Sequence, residues 1–435
     1  MSPSPTAYIN ARLIDPASGL DEFGALLTLG DRIADLGPHL FAGGVPKDME
    51  IVDCRGLVLA PGLIDMRVFI GEPGAKHKES LSSISRSAAA GGVTTLIAMP
   101  DTDPPIDDIS VLEFVARRAG ETAQVRVHPM AAITKSLEGR EMAELGLLRD
   151  AGAVAFTDGR KGVADARVLR RAMSYATAFD MLICQHVEDP SLARDGTMNE
   201  GELAMRLGLA GIPSLAETIM LERDLRLAEA QSARYHAAQI STSGACEIMA
   251  AAKRKGLQVT AGVSVAHLSL NELDIAGYRT FFKLSPPLRR EEDRRALIES
   301  LADGTIDVIV SAHDPQDVES KRVPFAQAEF GAIGVETMLS VSLGLVHEGH
   351  LSLIDLLGKM TVNPAHILRL DRGRLGSGLP ADLVLFDPER PWVIDAEKLN
   401  SKSRNSPFDG RKVQGRVVAT IVGGKRVFSL EDQTC

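Results

Sequence analysis

Several places in the chain bring together side chains able to bind a cation or carry a proton. The run A-V-A-F-T-D-G ends on Asp158 and its turn, C-Q-H-V-E-D sets His186 beside Glu188 and Asp189, Y-H-A-A-Q-I-S-T-S-G carries His236 and Gln239, and V-I-V-S-A-H-D-P places His313 next to Asp314. His267 and the Asp101 of M-P-D-T-D-P-P complete the set. Imidazole and carboxylate are the usual ligands of a catalytic divalent cation and the usual proton carriers of a hydrolase. Each also has a plainer use. Asp-Gly is a common turn pair, an aspartate among prolines caps a turn or helix, and a histidine beside carboxylates is satisfied by ordinary hydrogen bonds.

A site requires that short apolar runs hold these residues at one level. Leu57 to Ala60, a Pro61-Gly62 break and Leu63 to Ile70 read as a strand, a turn and a buried strand. Val93 to Met99, Val125 to Ala132, Ala153 to Thr157, Met181 to His186, Tyr235 to Ser241, Leu257 to Val263, Thr280 to Leu284 and Val308 to Ser311 continue the series, with helical stretches between. Ser80 to Ala90 is one such helix, ended by Gly91-Gly92. Strand and helix in alternation argue for a parallel sheet, and about eight units close a barrel, whose working residues sit at the C-terminal strand ends. An open doubly wound sheet is the other pattern-based reading, but no G-x-G-x-x-G follows an early strand. Both chain ends read as strands: Ala7 to Leu13, Ala25 to Leu29 and Ile33 to Leu36 at the start, and Pro380 to Pro388 and Gly415 to Phe428 at the finish.

At 435 residues and 45% apolar the chain suits a barrel plus an accessory unit. A net charge of -10 disfavours nucleic acid and anionic membrane. The start lacks a signal core and no apolar run is long enough to span a bilayer, so a cytoplasmic protein is expected. Cys54, Cys184, Cys246 and Cys435 are far apart and read as buried free thiols.

The stretch Pro61 to Gly74 resembles the first barrel strand of the amidohydrolase superfamily, and most closely that of the class I dihydroorotases, written P-G-x-I-D-x-H-x-H-x-R-E-P-G. Pro61, Gly62, Ile64, Asp65, Glu72, Pro73 and Gly74 keep that frame. Arg67 and Phe69 take the two metal-binding histidine positions, and Gly71 takes that of a substrate-binding arginine. The resemblance continues to about Asp387 through K-L-S-P-P-L-R, P-F-A-Q-A-E-F-G-A-I-G-V-E-T and G-R-L-G-S-G-L-P-A-D. It implies a (β/α)8 TIM barrel over residues 56–369, beside a small β-sandwich built from residues 1–55 and 370–435.

The resemblance also assigns roles. Asp158 and His186 match metal-site positions, while Gln239 replaces a metal-binding histidine and Ala312 replaces the catalytic aspartate, with His313 retained. In the substrate-like pocket, which also takes in Gly71 and His267, Asp101 and Ser285 each replace an asparagine. An acid at Asp101 is expected to repel an anionic substrate. Asp314, two residues on, is the lesser expectation for replacing the lost aspartate from the loop, because one position of slip in an extended strand sends a side chain to the opposite face. Two surviving ligands, Asp158 and His186, fall short of the three protein ligands of a catalytic zinc, so no metal and no cofactor is expected. Arg67 is expected to restore the positive charge by pairing with Asp158 at about 3 Å, and Phe69 to fill the space of the second imidazole; the plainer reading leaves Arg67 facing solvent.

The expectation that follows is a catalytically inactive, dihydroorotase-like protein of pyrimidine biosynthesis. The resemblance implies that it acts as a structural partner of aspartate carbamoyltransferase, in a homo- or hetero-oligomer. The alternative is an active dihydroorotase or other cyclic-amide hydrolase with an atypical zinc site drawn from Asp158, His186, His236, His267 or His313. A third reading is a sensor that binds a pyrimidine-like ligand without turning it over.

Overall fold

In a computed structural model, which describes residues 5–431, eight parallel strand positions close into a barrel. Leu63–Val68 pairs with Val93–Ala98, and that strand pairs with Arg126–Pro129. Leu182–Gln185, Arg234–Ala237, Val259–Ser264 and Val308–Val310 form a second parallel group. The run Ala153 to Thr157 joins the two groups through bridges from Phe156 to Ala131 and Ile183, so it is the fourth strand, reduced to a few ladder bonds. A bridge between Val68 and His313 closes the ring. Leu63–Val68, Val93–Ala98 and Leu182–Gln185 are wholly buried, as expected of a parallel sheet covered by helices, while Arg126–Pro129 is only partly so. Thr280 to Leu284 departs from expectation: Thr280–Phe282 is a 3-10 turn. A short apolar and aromatic run does not by itself distinguish a strand from a packed turn.

The helix Leu81–Ala90 starts where Ser80 caps it, with Ser83 N donating to Ser80 Oγ at 3.2 Å and Ser80 N to Ser83 Oγ at 3.0 Å. Its small residues let it lie flat on the barrel, and Gly91 ends it. Inside the barrel Ile64, Met66, Phe69, Ile97, Met99, Met130, Leu182, Val308 and Val310 form one apolar cluster. Phe69 is thus a member of the buried interior.

Both chain ends contribute to one eight-stranded sheet. Pro5–Asp15 lies at its centre, between Leu20–Leu29 on one side and Val58–Pro61 on the other, with Glu50–Asp53 also pairing to it. Leu383–Val393 then pairs with Val58–Pro61, followed by Lys412–Val422 and Lys425–Ser429. Cys54, Cys184 and Cys246 are buried free thiols; Cys435 lies outside the described residues. Among the described residues no helix is long and apolar enough to cross a membrane.

Candidate functional site at the barrel mouth

A cavity of about 290 Å³ opens at the C-terminal ends of the barrel strands, and Arg67, Arg160, Glu188, Gln239, Ser285 and Asp314 are among its lining residues. Arg67 comes from the first strand, where the register shifts between Asp65 and Val68. Such irregularities re-aim side chains at the rims of barrels. The guanidinium is buried, and its one hydrogen bond runs from Nη1 to Gly159 O at 3.5 Å. Burial pulls its pKa below the ordinary arginine value, against the opposing attraction of Asp101, Cys184 and Asp314.

The expected pairing of Arg67 with Asp158 does not form. Asp158 accepts from Ile133 N and Thr134 N, both at 2.9 Å, and from the Thr134 hydroxyl. Its oxygens are therefore committed to the neighbouring loop, and burial raises its pKa against those bonds. The plainer expectation for Arg67 fails as well, since only 5% of the residue is exposed.

The cation that makes close ion pairs here is Arg160, which sequence reasoning missed. Its Nε donates to Asp101 Oδ2 at 2.7 Å and its Nη1 reaches Asp314 Oδ1 at 3.2 Å, with the guanidinium carbon 5.3 Å from the centre of the Phe69 ring. Asp101 is consequently no bare repulsive charge, because a partner neutralises it. The only signal in the sequence was a cation two residues beyond Asp158, in D-G-R-K, a pattern that also suits a solvated turn.

Asp314 also corrects an expectation: it lines the cavity. Asp314 stands two residues beyond Ala312, which also lines the cavity, as the alternation of faces along an extended segment gives; Ala312 itself has φ 51°, in the left-handed region. Burial raises the Asp314 pKa, while Arg160 opposes the rise. His313, in contrast, is turned away from the cavity. Its Nδ1 accepts from Gly334 N at 3.3 Å and its Nε2 faces Glu79 Oε2 at 3.4 Å.

His186 stays at the mouth, with Nε2 3.2 Å from Ser285 Oγ and 3.7 Å from Glu188 Oε1, and Nδ1 unpartnered. Burial pushes the Glu188 pKa up, but its bond to His186 and the charges of Arg289 and Arg67 hold it below the ordinary value. Gln239 Oε1 is buried without a partner. Two further histidines are structural. His267 bonds Ser264 Oγ at 2.6 Å and the carbonyls of Pro286 and Pro287, and burial brings its pKa to about 4; His236 bonds Thr260 Oγ1 at 2.8 Å, and burial lowers its pKa to about 3.

Gly71 has φ +66, and a Cβ there would stand 2.2 Å from Glu79 O. The backbone at this position therefore has no room for the arginine that the resemblance puts there.

The donor chemistry does not fit a divalent metal centre. A guanidinium is permanently charged and offers no lone pair, a phenyl ring and a methyl group offer none, and the Asp158 carboxylate is already hydrogen-bonded on both oxygens. Among the described residues no three His, Cys, Asp or Glu side chains converge on one point.

A family model described as dihydro-orotase-like matches residues 56–245. A protein named dihydroorotase from Anaplasma phagocytophilum (strain HZ) is 47% identical over 428 residues, covering 98% of this chain and 95% of that one. Another of that name, from Ehrlichia chaffeensis (strain ATCC CRL-10679 / Arkansas), is 44% identical over 427 residues, with 98% and 95% covered. Among solved structures, L-hydantoinase (dihydropyrimidinase) from Arthrobacter aurescens superposes with a TM-score of 0.88 at 26% identity, covering 99% of this chain and 96% of that one. A dihydropyrimidinase from Brevibacillus agri NCHU1002 gives 0.84 at 21%, with 98% and 95% covered, a likeness of fold. These relatives overturn the expectation of an inactive structural subunit: near-complete similarity to proteins named for a hydrolase favours the alternative reading, an active cyclic-amide hydrolase.

Proposed function

Because the chain belongs to the dihydroorotase family, we propose that it opens a cyclic amide of the dihydroorotate type with water, and closes it again, in the cavity at the barrel mouth. The observation that carries this reading is the 47% identity to a dihydroorotase over nearly both full lengths. The geometry supports it with a polar cavity of about 290 Å³ at the strand ends, where barrels of this kind do their chemistry.

Ring opening needs a donor at the amide carbonyl and a group that moves a proton from water to the departing nitrogen. Asp314 suits the second role. It lines the cavity, Arg160 and Gln316 Nε2 fix its carboxylate, and burial raises its pKa above the ordinary carboxylate value while Arg160 opposes the rise. As the water oxygen bonds to the carbonyl carbon, Asp314 takes one water proton and delivers it to the ring nitrogen when the C–N bond breaks. The second water proton stays on the new carboxyl group until that ionises.

The family resemblance implies zinc, yet the donors here do not suit it, so the polarising charge comes from a side chain. A guanidinium does not lower the pKa of water as zinc does, so turnover is slower than a metal-assisted reaction and insensitive to chelation. The test is to follow dihydroorotate opening and N-carbamoyl-aspartate closure with a chelator present. Turnover above the uncatalysed rate in both directions supports the reading. No turnover in either direction, with or without added zinc, overturns it.

A further inference from the structure

We infer that Arg67 receives the ring carbonyl of the ligand, at the position where the resemblance puts a metal-binding histidine; the inference rests on the cyclic-amide reading above. Buried cations ordinarily have close, well-aligned partners, because desolvation is costly. Arg160 follows that rule, with Asp101 at 2.7 Å and Asp314 at 3.2 Å. Arg67 does not. Although 5% exposed, it has a single hydrogen bond of 3.5 Å, at the outer limit of such bonds, and among the described residues no carboxylate oxygen lies within 4.0 Å of it. The acids nearest in charge, Asp101 and Asp314, are both committed to Arg160. Arg67 therefore lines the cavity with donor capacity left over.

The surroundings decide what fills that capacity. Asp314 and Glu188 already bring carboxylates to the same cavity, so another carboxylate at Arg67 would meet two like charges. A neutral carbonyl accepts from the guanidinium without that repulsion. Gln239 and Glu188 line the same cavity as Arg67, and Gln239 Oε1 and Glu188 Oε2 are buried acceptors without partners, the complement of an amide N–H. A carbonyl beside an N–H is the edge of a cyclic amide. An arginine at Gly71, which would otherwise orient such a ring, is ruled out by the Glu79 carbonyl.

The experiment is titration calorimetry of the full-length chain with dihydroorotate and with dihydrouracil, which shares the ring amide but lacks the carboxylate. Wild type, R67M and R67K are compared with chelator present. Loss of a charged donor to the carbonyl weakens binding by roughly 10- to 100-fold, so R67M is expected to lose that much for both probes and R67K less. Circular dichroism and the melting temperature check that the variants are folded, and R67K provides a second variant that keeps the charge. Failure of wild type to bind either probe, equal binding by R67M, or a loss confined to dihydroorotate would each overturn the assignment. Binding that depends on Arg67 without any turnover would leave the assignment standing and sink the proposed reaction instead.

Discussion

Arg160 and Asp101 meet at 2.7 Å at the barrel mouth, with the Asp101 side chain buried and the Arg160 side chain partly open to solvent. Arg160 shares its charge between Asp101 and Asp314, and Gln316 Nε2 holds Asp314 as a second donor. Replacing Asp101 with alanine is expected to lower stability by about 1–2 kcal/mol through loss of the charged hydrogen bond, and asparagine, which keeps an acceptor, by less. Urea unfolding of both variants reads this directly. Equal midpoints for wild type and D101A would show that the pair contributes nothing.

Gly71 is set by geometry. With φ +66 and a carbonyl 2.2 Å from where a Cβ would stand, any side chain forces the turn after the first strand to move. G71R, which restores the family's residue, is expected to cost about 2 kcal/mol or more from backbone strain and overlap. It should weaken ligand binding rather than improve it. A folded G71R of wild-type melting temperature would contradict this.

Glu336 provides a pH signature away from the mouth. It accepts from Asn400 N at 2.8 Å, Asn400 Nδ2 at 3.0 Å and Ser87 Oγ at 3.0 Å, yet burial raises its pKa from 4.5 to about 7. Above pH 4.5 the unfolded chain releases this proton while the folded chain keeps it up to about pH 7. The folded state therefore binds more protons across that window, and stability falls as the pH rises through it. Denaturant unfolding at a series of pH values should show a shallower decline for E336Q than for wild type. Identical slopes would remove Glu336 from the account.

Much of the scaffold was legible because strand ends carry both pattern and motif. The runs around Leu63, Val93, Leu182, Val259 and Val308 were apolar, short and separated by helical stretches, and each became a barrel strand. The helix after Ser80 was legible through its small residues and its Gly91-Gly92 stop. Thr280–Phe282 was misread because a short apolar and aromatic run also suits a turn, here with Thr280 buried and Phe282 packed against the core. The site was harder, since its side chains are positioned by backbone features that residue types do not show. Asp314 lines the same cavity as Ala312, two residues before it, across a left-handed backbone position that residue types do not announce. Asp158 is unavailable to Arg67 because Ile133, Thr134 and its hydroxyl reach it first. Arg160 looked like one more surface cation until the fold brought Asp101 and Asp314 to it. The inactive reading gave way for a further reason: lost metal ligands say what a site lacks, whereas activity depends on what has taken their place.

The most direct test is the rate of dihydroorotate ring opening by purified protein after exhaustive chelation, with zinc content measured on the same sample. Measurable turnover with zinc well below stoichiometric, unchanged when zinc is added back, is the expected result. Activity that disappears on chelation and returns with bound zinc would contradict a mouth whose positive charge is supplied by arginine.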